Sequence, residues 1–152
     1  MPMPWTYRHA SREFRAFLDD AKERMSLESD NMTYTAVDAV FQVFRRRLTA
    51  QQGLDFASVL PSVTRAMFVK NWQVEDHPAS FEDRDTMTIE AKRVRVNHNL
   101  TPDNAIEATA WALRRSLDQR DLNRVLKRIG PDAEAFWHVQ VSDPRELEQR
   151  IV

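Results

Sequence analysis

Two stretches of about 20 residues resemble each other, and this internal similarity limits the folds that the chain can adopt. Residues 35–54 read TAVDAVFQVFRRRLTAQQGL, and residues 104–122 read NAIEATAWALRRSLDQRDL. A constant shift aligns their apolar and basic positions: Ala36 with Ala105, Asp38 with Glu107, Ala39 with Ala108, Phe44 with Leu113, Arg45-Arg46 with Arg114-Arg115, and Leu48 with Leu117. The shift is 69 residues, as from Ala36 to Ala105, and one deletion in the following turn then aligns Leu54 with Leu122.

The spacing of apolar residues predicts helices throughout the chain. In SREFRAFLDDAKERM, residues 11–25, apolar side chains recur every three or four positions and therefore share one helical face. The same reasoning predicts further helices over 35–48, 50–60, 61–72, 81–96, 102–117 and 118–129, a short helix in DAEAFW, and one or two turns in the tail. The segment VRVNHNL alternates, but it is too short and isolated to form a sheet.

Helix starts follow from capping residues. Thr49 and Gln52 have the spacing of a capping box, which predicts a helix from residue 50. Pro61 is expected at the first position of the next helix because a proline there loses no hydrogen bond. The other predicted caps are Ser80 with Asp83, Thr101 before Pro102, Asp118 with Asp121, and Asp143 before Pro144.

The repeat predicts one compact all-α domain. A unit of about four helices cannot bury both sides of its helices alone, whereas two stacked units can. We therefore expect a helical bundle with a pseudo-two-fold axis over residues 1–152. Its parts are repeat one at 10–72, a linker at 73–80, repeat two at 81–140 and a C-terminal tail at 141–152.

Composition excludes several classes of site. The chain has no cysteine, which excludes disulfides, thiol catalysis and cysteine-based zinc sites and favours a reducing, cytoplasmic compartment. Its two glycines are too few for a phosphate loop, a dinucleotide-binding fingerprint or a G-x-S-x-G elbow. No apolar run reaches the roughly 18 residues of a membrane span, so no membrane association is expected.

The two copies resemble the bacterial domain of unknown function 2267 family over roughly residues 10–140. Three phrases carry the resemblance: LTAQQGLDFASVLPSVTRAMF, HNLTPDNAIEATAWALRRSL and DLNRVLKRIGPDAEAFW. The second copy departs from the pattern at Gly130-Pro131, where the first has Leu60-Pro61. The resemblance implies a helical, bacterial, cytoplasmic protein. The family has no established catalytic residue, metal ligand or cofactor that could be assigned to this chain.

The candidate interaction residues are Trp111 and the arginine pairs Arg45, Arg46, Arg114 and Arg115. The arginines lie in the last turn of a predicted helix, where cations interact favourably with the helix dipole. The alternative is a shared site for an anion or nucleic acid. Trp111 stands opposite the apolar stripe of its helix, so it either packs on another helix of this chain or anchors a partner or a second copy.

Other candidate sites have weaker support. None of the four histidines, His9, His77, His98 and His138, lies four residues from another, so no helix presents a two-histidine metal face. The stretch EDHPASFEDRD gathers carboxylates but lacks the spacing of a calcium loop, and a solvated linker explains it better. His98 is expected to help close a turn.

Nucleic acid is not an expected partner. Residues 45–68 have the lengths of a helix-turn-helix, but the second helix, residues 50–60, carries no Lys or Arg. The net charge of the whole chain is only −1. The sequence therefore favours an interaction or scaffold module that binds another protein or a second copy, without a cofactor or metal. The alternative is an enzyme or ligand-binding protein with its site at the seam between the repeats.

Overall fold

A computed structural model describes residues 1–95 and 100–152, and over these ranges the chain is helical, without a β-strand. The helices are α1 (Trp5–Arg8), α2 (Ala10–Met25), α3 (Asp30–Arg45), α4 (Ala50–Ser58), α5 (Ser62–Val69), α6 (Arg84–Lys92), α7 (Ala105–Ser116), α8 (Gln119–Ile129) and α9 (Pro131–Phe136), followed by a 3-10 helix (Pro144–Leu147). The all-α class predicted from the apolar spacing is confirmed. In the described part of the chain, no helix combines the length and apolarity needed to cross a membrane.

Three predicted helix starts are confirmed by their capping geometry. At α4 both hydrogen bonds of the capping box form, from Gln52 N–H to Thr49 Oγ1 at 3.2 Å and from Thr49 N–H to Gln52 Oε1 at 2.9 Å. Asp118 caps α8 by accepting the Arg120 N–H at 2.9 Å. Asp143 caps the 3-10 helix in the same way.

Other predicted boundaries were wrong. Helix α3 begins five residues before the predicted start, because the Ser29 side chain accepts the Met32 N–H and caps it there. Asp83, rather than Ser80, caps α6, and Asn104 rather than Thr101 precedes α7. Pro61 occupies the capping position of α5 instead of its first helical position.

Further ends also differ from the prediction. Helix α5 ends at Val69 instead of near Trp72, and α6 ends at Lys92 instead of near residue 96. The last carbonyls of a helix have no partner within it. At α5, the carbonyls of Phe68 and Lys70 accept from Arg45, which is distant in the sequence, so no local residue signals this end. The expectation for His98 falls outside the described residues.

The helices pack in a reciprocal pattern. Helix α2 packs chiefly on α7, α6 packs chiefly on α3, and α3 and α7 contact each other at the centre. The shorter helices α4 and α8 contact each other and lie against α5 and α9, respectively. The two long helices of the first half, α2 and α3, thus each take their most extensive contact from a helix of the second half.

An aromatic cluster forms the core around Phe44. Its ring is fully buried, with ring centroids 4.9 Å from Phe56, 4.9 Å from Phe136 and 5.3 Å from Trp137. Phe68 lies 4.8 Å from Phe56 and extends the cluster. Aromatic rings at these separations attract each other beyond the gain from burial alone.

The deletion predicted between Leu54 and Leu122 is not needed. Leu54 is 57% exposed whereas Leu122 is fully buried, so the two do not occupy equivalent environments. Gly53, which is buried, precedes Leu122 by 69 residues, the same offset that separates the caps Thr49 and Asp118. At this offset the buried positions of α4 and α8 coincide, while the tandem repeat itself stays a prediction.

Candidate interaction surfaces

The first arginine of each pair caps the last helix of its own half of the chain. Arg45 Nη1 donates to the carbonyl oxygens of Phe68 and Lys70, both at 2.9 Å. Arg114 Nε donates to the Trp137 carbonyl at 2.9 Å. Both arginines are buried, and burial lowers the pKa of each guanidinium. Each cation thus neutralises the carbonyl end of a neighbouring helix rather than of its own.

The second arginine of each pair reaches across to the other half. Arg46 forms an ion pair with Glu90 on α6. Arg115 Nε donates to Asp20 Oδ2 on α2 at 3.0 Å, and its Nη1 donates to the Glu146 carbonyl at 2.8 Å. In each pair, the first arginine therefore bonds to a helix end in its own half, and the second connects helices from different halves.

Arg47 contributes a contact that the sequence analysis did not identify. Its side chain is 3% exposed, and Nη2 lies 2.7 Å from Glu90 Oε2 while Nη1 donates to the Val43 carbonyl at 2.7 Å. Burial raises the pKa of Glu90, but hydrogen bonds and charge from Arg47 and Arg46 outweigh it and hold the pKa below its ordinary value.

Trp111 lies between two arginines beneath the C-terminal tail. It is 8% exposed, and the guanidinium carbons of Arg24 and Arg115 lie 4.9 Å and 4.6 Å from its ring centroid. Its Nε1–H donates to Glu146 Oε1 at 3.1 Å. Trp111 thus has partners within the chain, and its contact with a second molecule stays a prediction.

The seam between α2 and α7 is largely filled. A cavity of about 10 Å³, large enough for one water molecule, lies beside Glu13, Asp20, Arg115 and Arg150. Asp20 accepts hydrogen bonds from Arg115 at 3.0 Å and from Arg150 at 2.6 Å. The carboxylates here are buried, whereas Arg115 is half-buried and Arg150 is exposed. Both arginines bond to Asp20, and Glu13 accepts a hydrogen bond from the Thr6 hydroxyl, so these hydrogen-bonding atoms have partners within the chain. A ligand site at the seam stays a prediction.

The acidic stretch is distributed along the surface rather than folded into a cluster. Asp83 accepts the Thr86 N–H at 2.7 Å, and this hydrogen bond lowers the pKa of Asp83. Glu75 lies 3.7 Å from Arg46. Among residues 1–95 and 100–152, no three His, Asp or Glu side chains come together in a geometry that could hold a metal ion.

Helix α8 exposes a row of cations that the sequence analysis did not single out. Its inner face is buried through Leu122, Val125 and Leu126. Its outer face consists of five exposed residues, here called the basic face: Arg120, Asn123, Arg124, Lys127 and Arg128. Their spacing of three, four, seven and eight residues from Arg120 signals this face in the sequence, where only the apolar stripe of the helix was considered.

Among the residues that the structure describes, the arginines of the basic face make ion pairs in which their own side chains stay exposed. Arg120 lies 3.2 Å from Asp118, Arg124 lies 3.2 Å from Asp121, and the charged atoms of Arg128 and Asp55 are 3.9 Å apart. The arginine side chains of these pairs are 87%, 68% and 63% exposed. Exposed pairs of this kind contribute about 0–1 kcal/mol, so an external anion can replace the aspartates at little cost.

Comparison with known proteins assigns the family. The model of the family described as "Uncharacterized conserved protein (DUF2267)" matches residues 14–136. The chain belongs to this family. The match covers α3 to α9 completely and includes both stretches that carry the internal similarity. No curated protein matches the chain.

Proposed function

We propose that this member of the DUF2267 family is a helical binding module, rather than an enzyme, and that it engages an anionic macromolecule through the basic face of α8. The observation that carries the proposal is the exposed row of Arg120, Arg124, Lys127 and Arg128 on a helix whose other side is anchored in the core. An anchored helix holds its outer side chains at fixed spacing, which favours recognition of a regularly charged partner.

The comparison of α8 with α4 supports a role beyond folding. Both helices start after a capping side chain and pack on each other, and their buried positions correspond at the offset of 69 residues. The positions on α4 that correspond to the first four residues of the basic face are Gln51, Leu54, Asp55 and Ser58. Since α4 folds and packs without a single cation there, the cations on α8 are not required by the fold.

The proposal includes the domain organisation. We propose one compact domain built from repeat one at 10–72 and repeat two at 81–140, with the tail at 141–152 lying across the seam. Two observations support it: α2 packs on α7 while α6 packs on α3, and Arg45 and Arg114 make corresponding bonds to Phe68 and Trp137. Such reciprocal packing presents α8 on a single rigid body.

Heparin affinity chromatography tests the binding of an anion. The net charge of −1 gives the chain no overall attraction for a polyanion, so retention requires a local basic surface. We expect the full chain to bind heparin at low ionic strength and to elute as salt is raised. The variant Arg124→Gln/Lys127→Gln/Arg128→Gln should pass through unretained.

A matched control removes three exposed cations elsewhere. Arg8, Arg12 and Lys70 are exposed and lie outside α8, so Arg8→Gln/Arg12→Gln/Lys70→Gln has the same net charge as the basic-face variant. This control should be retained like the wild type, and circular dichroism should show all three proteins equally helical. Equal loss of retention in both variants, or no retention of the wild type, would refute the proposal.

A further inference from the structure

We propose that the anionic partner is duplex DNA and that α8 is the helix that contacts it; this inference rests on the proposed function. Helix α7 is buried over most of its length, and only Leu117 and Asp118 separate its end at Ser116 from the start of α8. Helix α8 thus follows a buried helix after a short turn, packs on α4 and α9, and turns its polar side outward. In DNA-binding helix-turn-helix proteins, the second helix likewise follows a short turn and enters the major groove with its exposed side.

The dimensions of the basic face fit a duplex. Eight residues separate Arg120 from Arg128, which corresponds to about 12 Å along a helix at 1.5 Å per residue. The major groove is about 12 Å wide, so a helix face of this length spans it: the first turn can face the bases while the cations further along the helix reach phosphates. Phosphate contacts by Arg and Lys fix the position of a protein on DNA without reading its sequence.

The first turn of α8 also carries side chains suited to bases. Arg120 and Asn123 lie near the N-terminus of the helix and are exposed. Arg pairs with the acceptors of guanine in the major groove. Asn123 Oδ1 accepts from Arg114 Nη1 at 3.0 Å, which fixes the side chain and leaves its Nδ2–H to donate to a base acceptor. Arg124, Lys127 and Arg128 are then left for phosphates. This division predicts that Asn123 affects sequence preference, whereas Lys127 affects affinity for every sequence.

The absence of an apolar centre favours DNA over an acidic protein surface. Protein interfaces have a desolvated core in which aromatic and other apolar side chains carry most of the binding energy. Within the basic face every side chain is Arg, Asn or Lys. Binding to phosphates is driven by the release of counterions and needs no apolar contact. Insertion into a lipid surface would require the apolar side of α8, which is buried in the core.

Helix α8 differs from residues 50–60, whose lack of cations argues against nucleic acid in the first half of the chain. The net charge of −1 also hides the local charge of α8, because it sums over the whole chain. The basic face concentrates four cations on one side of α8, while Asp118 and Asp121 at its N-terminal end reduce the attraction. We therefore expect moderate affinity with about three effective phosphate contacts.

Fluorescence anisotropy with a labelled 20-base-pair duplex of random sequence tests the inference. With the full chain, the logarithm of the binding constant should fall with the logarithm of salt concentration with a slope of about −3. The variant Arg124→Gln/Lys127→Gln should reduce the size of this slope by about two, since each phosphate contact contributes about 0.9. The control Arg8→Gln/Arg12→Gln should leave the slope unchanged.

A second probe separates this inference from the proposed function. Poly-L-glutamate presents carboxylates without groove geometry, and it should bind at least tenfold more weakly than the duplex at equal salt. If heparin retention depends on the basic face but the duplex does not bind, or binds no better than poly-L-glutamate, the inference is wrong and the proposed function stands. If the basic face affects none of the three polyanions, both are wrong.

Sequence selection gives an independent readout. Duplexes enriched from a random pool by the wild-type chain should share a preferred base that the variant Asn123→Ala no longer selects, while the salt slope of that variant stays at the wild-type value. A loss of affinity for all sequences alike in Asn123→Ala would contradict the assignment of this residue to base contacts.

Discussion

Replacing Phe44 with Ala tests the packing at the centre of the core. The Phe44 ring is fully buried and is surrounded by the rings of Phe56, Phe68, Phe136 and Trp137. Losing its burial costs about 1.5–3 kcal/mol, and the cavity left behind brings Phe→Ala changes to about 3–5 kcal/mol. Several neighbours are bulky aromatic rings that fill the gap poorly, so we expect about 4 kcal/mol.

Urea unfolding followed by circular dichroism at 25 °C measures this loss. Leu113→Ala, at the corresponding position of α7, should cost about 2–5 kcal/mol because Leu113 is also fully buried. Leu54→Ala is the matched control: Leu54 is 57% exposed, and its removal should cost less than about 0.5 kcal/mol. A loss below about 1 kcal/mol for Phe44→Ala, or equal losses for Phe44 and Leu54, would show that the helix faces are assigned wrongly.

Three further changes test local features. A Cβ added to Gly53 would lie 2.1 Å from the Trp72 ring. Gly53→Ala should therefore lower the free energy of unfolding by about 1–3 kcal/mol, despite the better helix propensity of Ala. The same change should be harmless in a Trp72→Ala background. Despite the opposing effect of burial, Arg47 and Arg46 hold the pKa of Glu90 below its ordinary value. Ionised Glu90 therefore stabilises the fold at neutral pH and loses this effect as pH falls through its folded pKa. The free energy of unfolding should fall more between pH 7 and pH 3 for the wild type than for Glu90→Gln. Trp111→Gln should cost about 3–5 kcal/mol if its burial within the chain determines its role, whereas unchanged stability with weaker self-association in sedimentation would support the partner interpretation.

Much of the helical structure could be predicted from the sequence because its signals are local. The apolar stripe of residues 11–25 gives α2, and the capping residues Thr49 and Asp118 determine the starts of α4 and α8. A cap needs only a side-chain oxygen and an amide two or three residues away, so the chain specifies it without help from the rest of the fold. The start of α3 differs from the predicted residue 35 because Ser29 caps the helix and starts it at Asp30.

The basic face could also have been found from the sequence, since Arg120, Arg124, Lys127 and Arg128 follow helical spacing. The exposure of this face could not be found from the sequence. The residues of α4 and α8 have similar amphipathic patterns, and only the packed structure shows that Leu54 remains at the surface while Leu122 is buried. Burial depends on which helices lie against each face, and those helices come from distant parts of the chain.

The sequence by itself determined the all-α class, the repeated arginine pair and the caps, because helical period and capping act over a few residues. The tertiary structure alone decided what the arginines bind. Arg45 reaches an acceptor 23 residues away and Arg115 reaches one 95 residues away. Local interactions place a guanidinium on a helix face but do not determine its hydrogen-bond acceptor. The acceptor is whichever carbonyl or carboxylate the packing of the helices brings within about 3 Å.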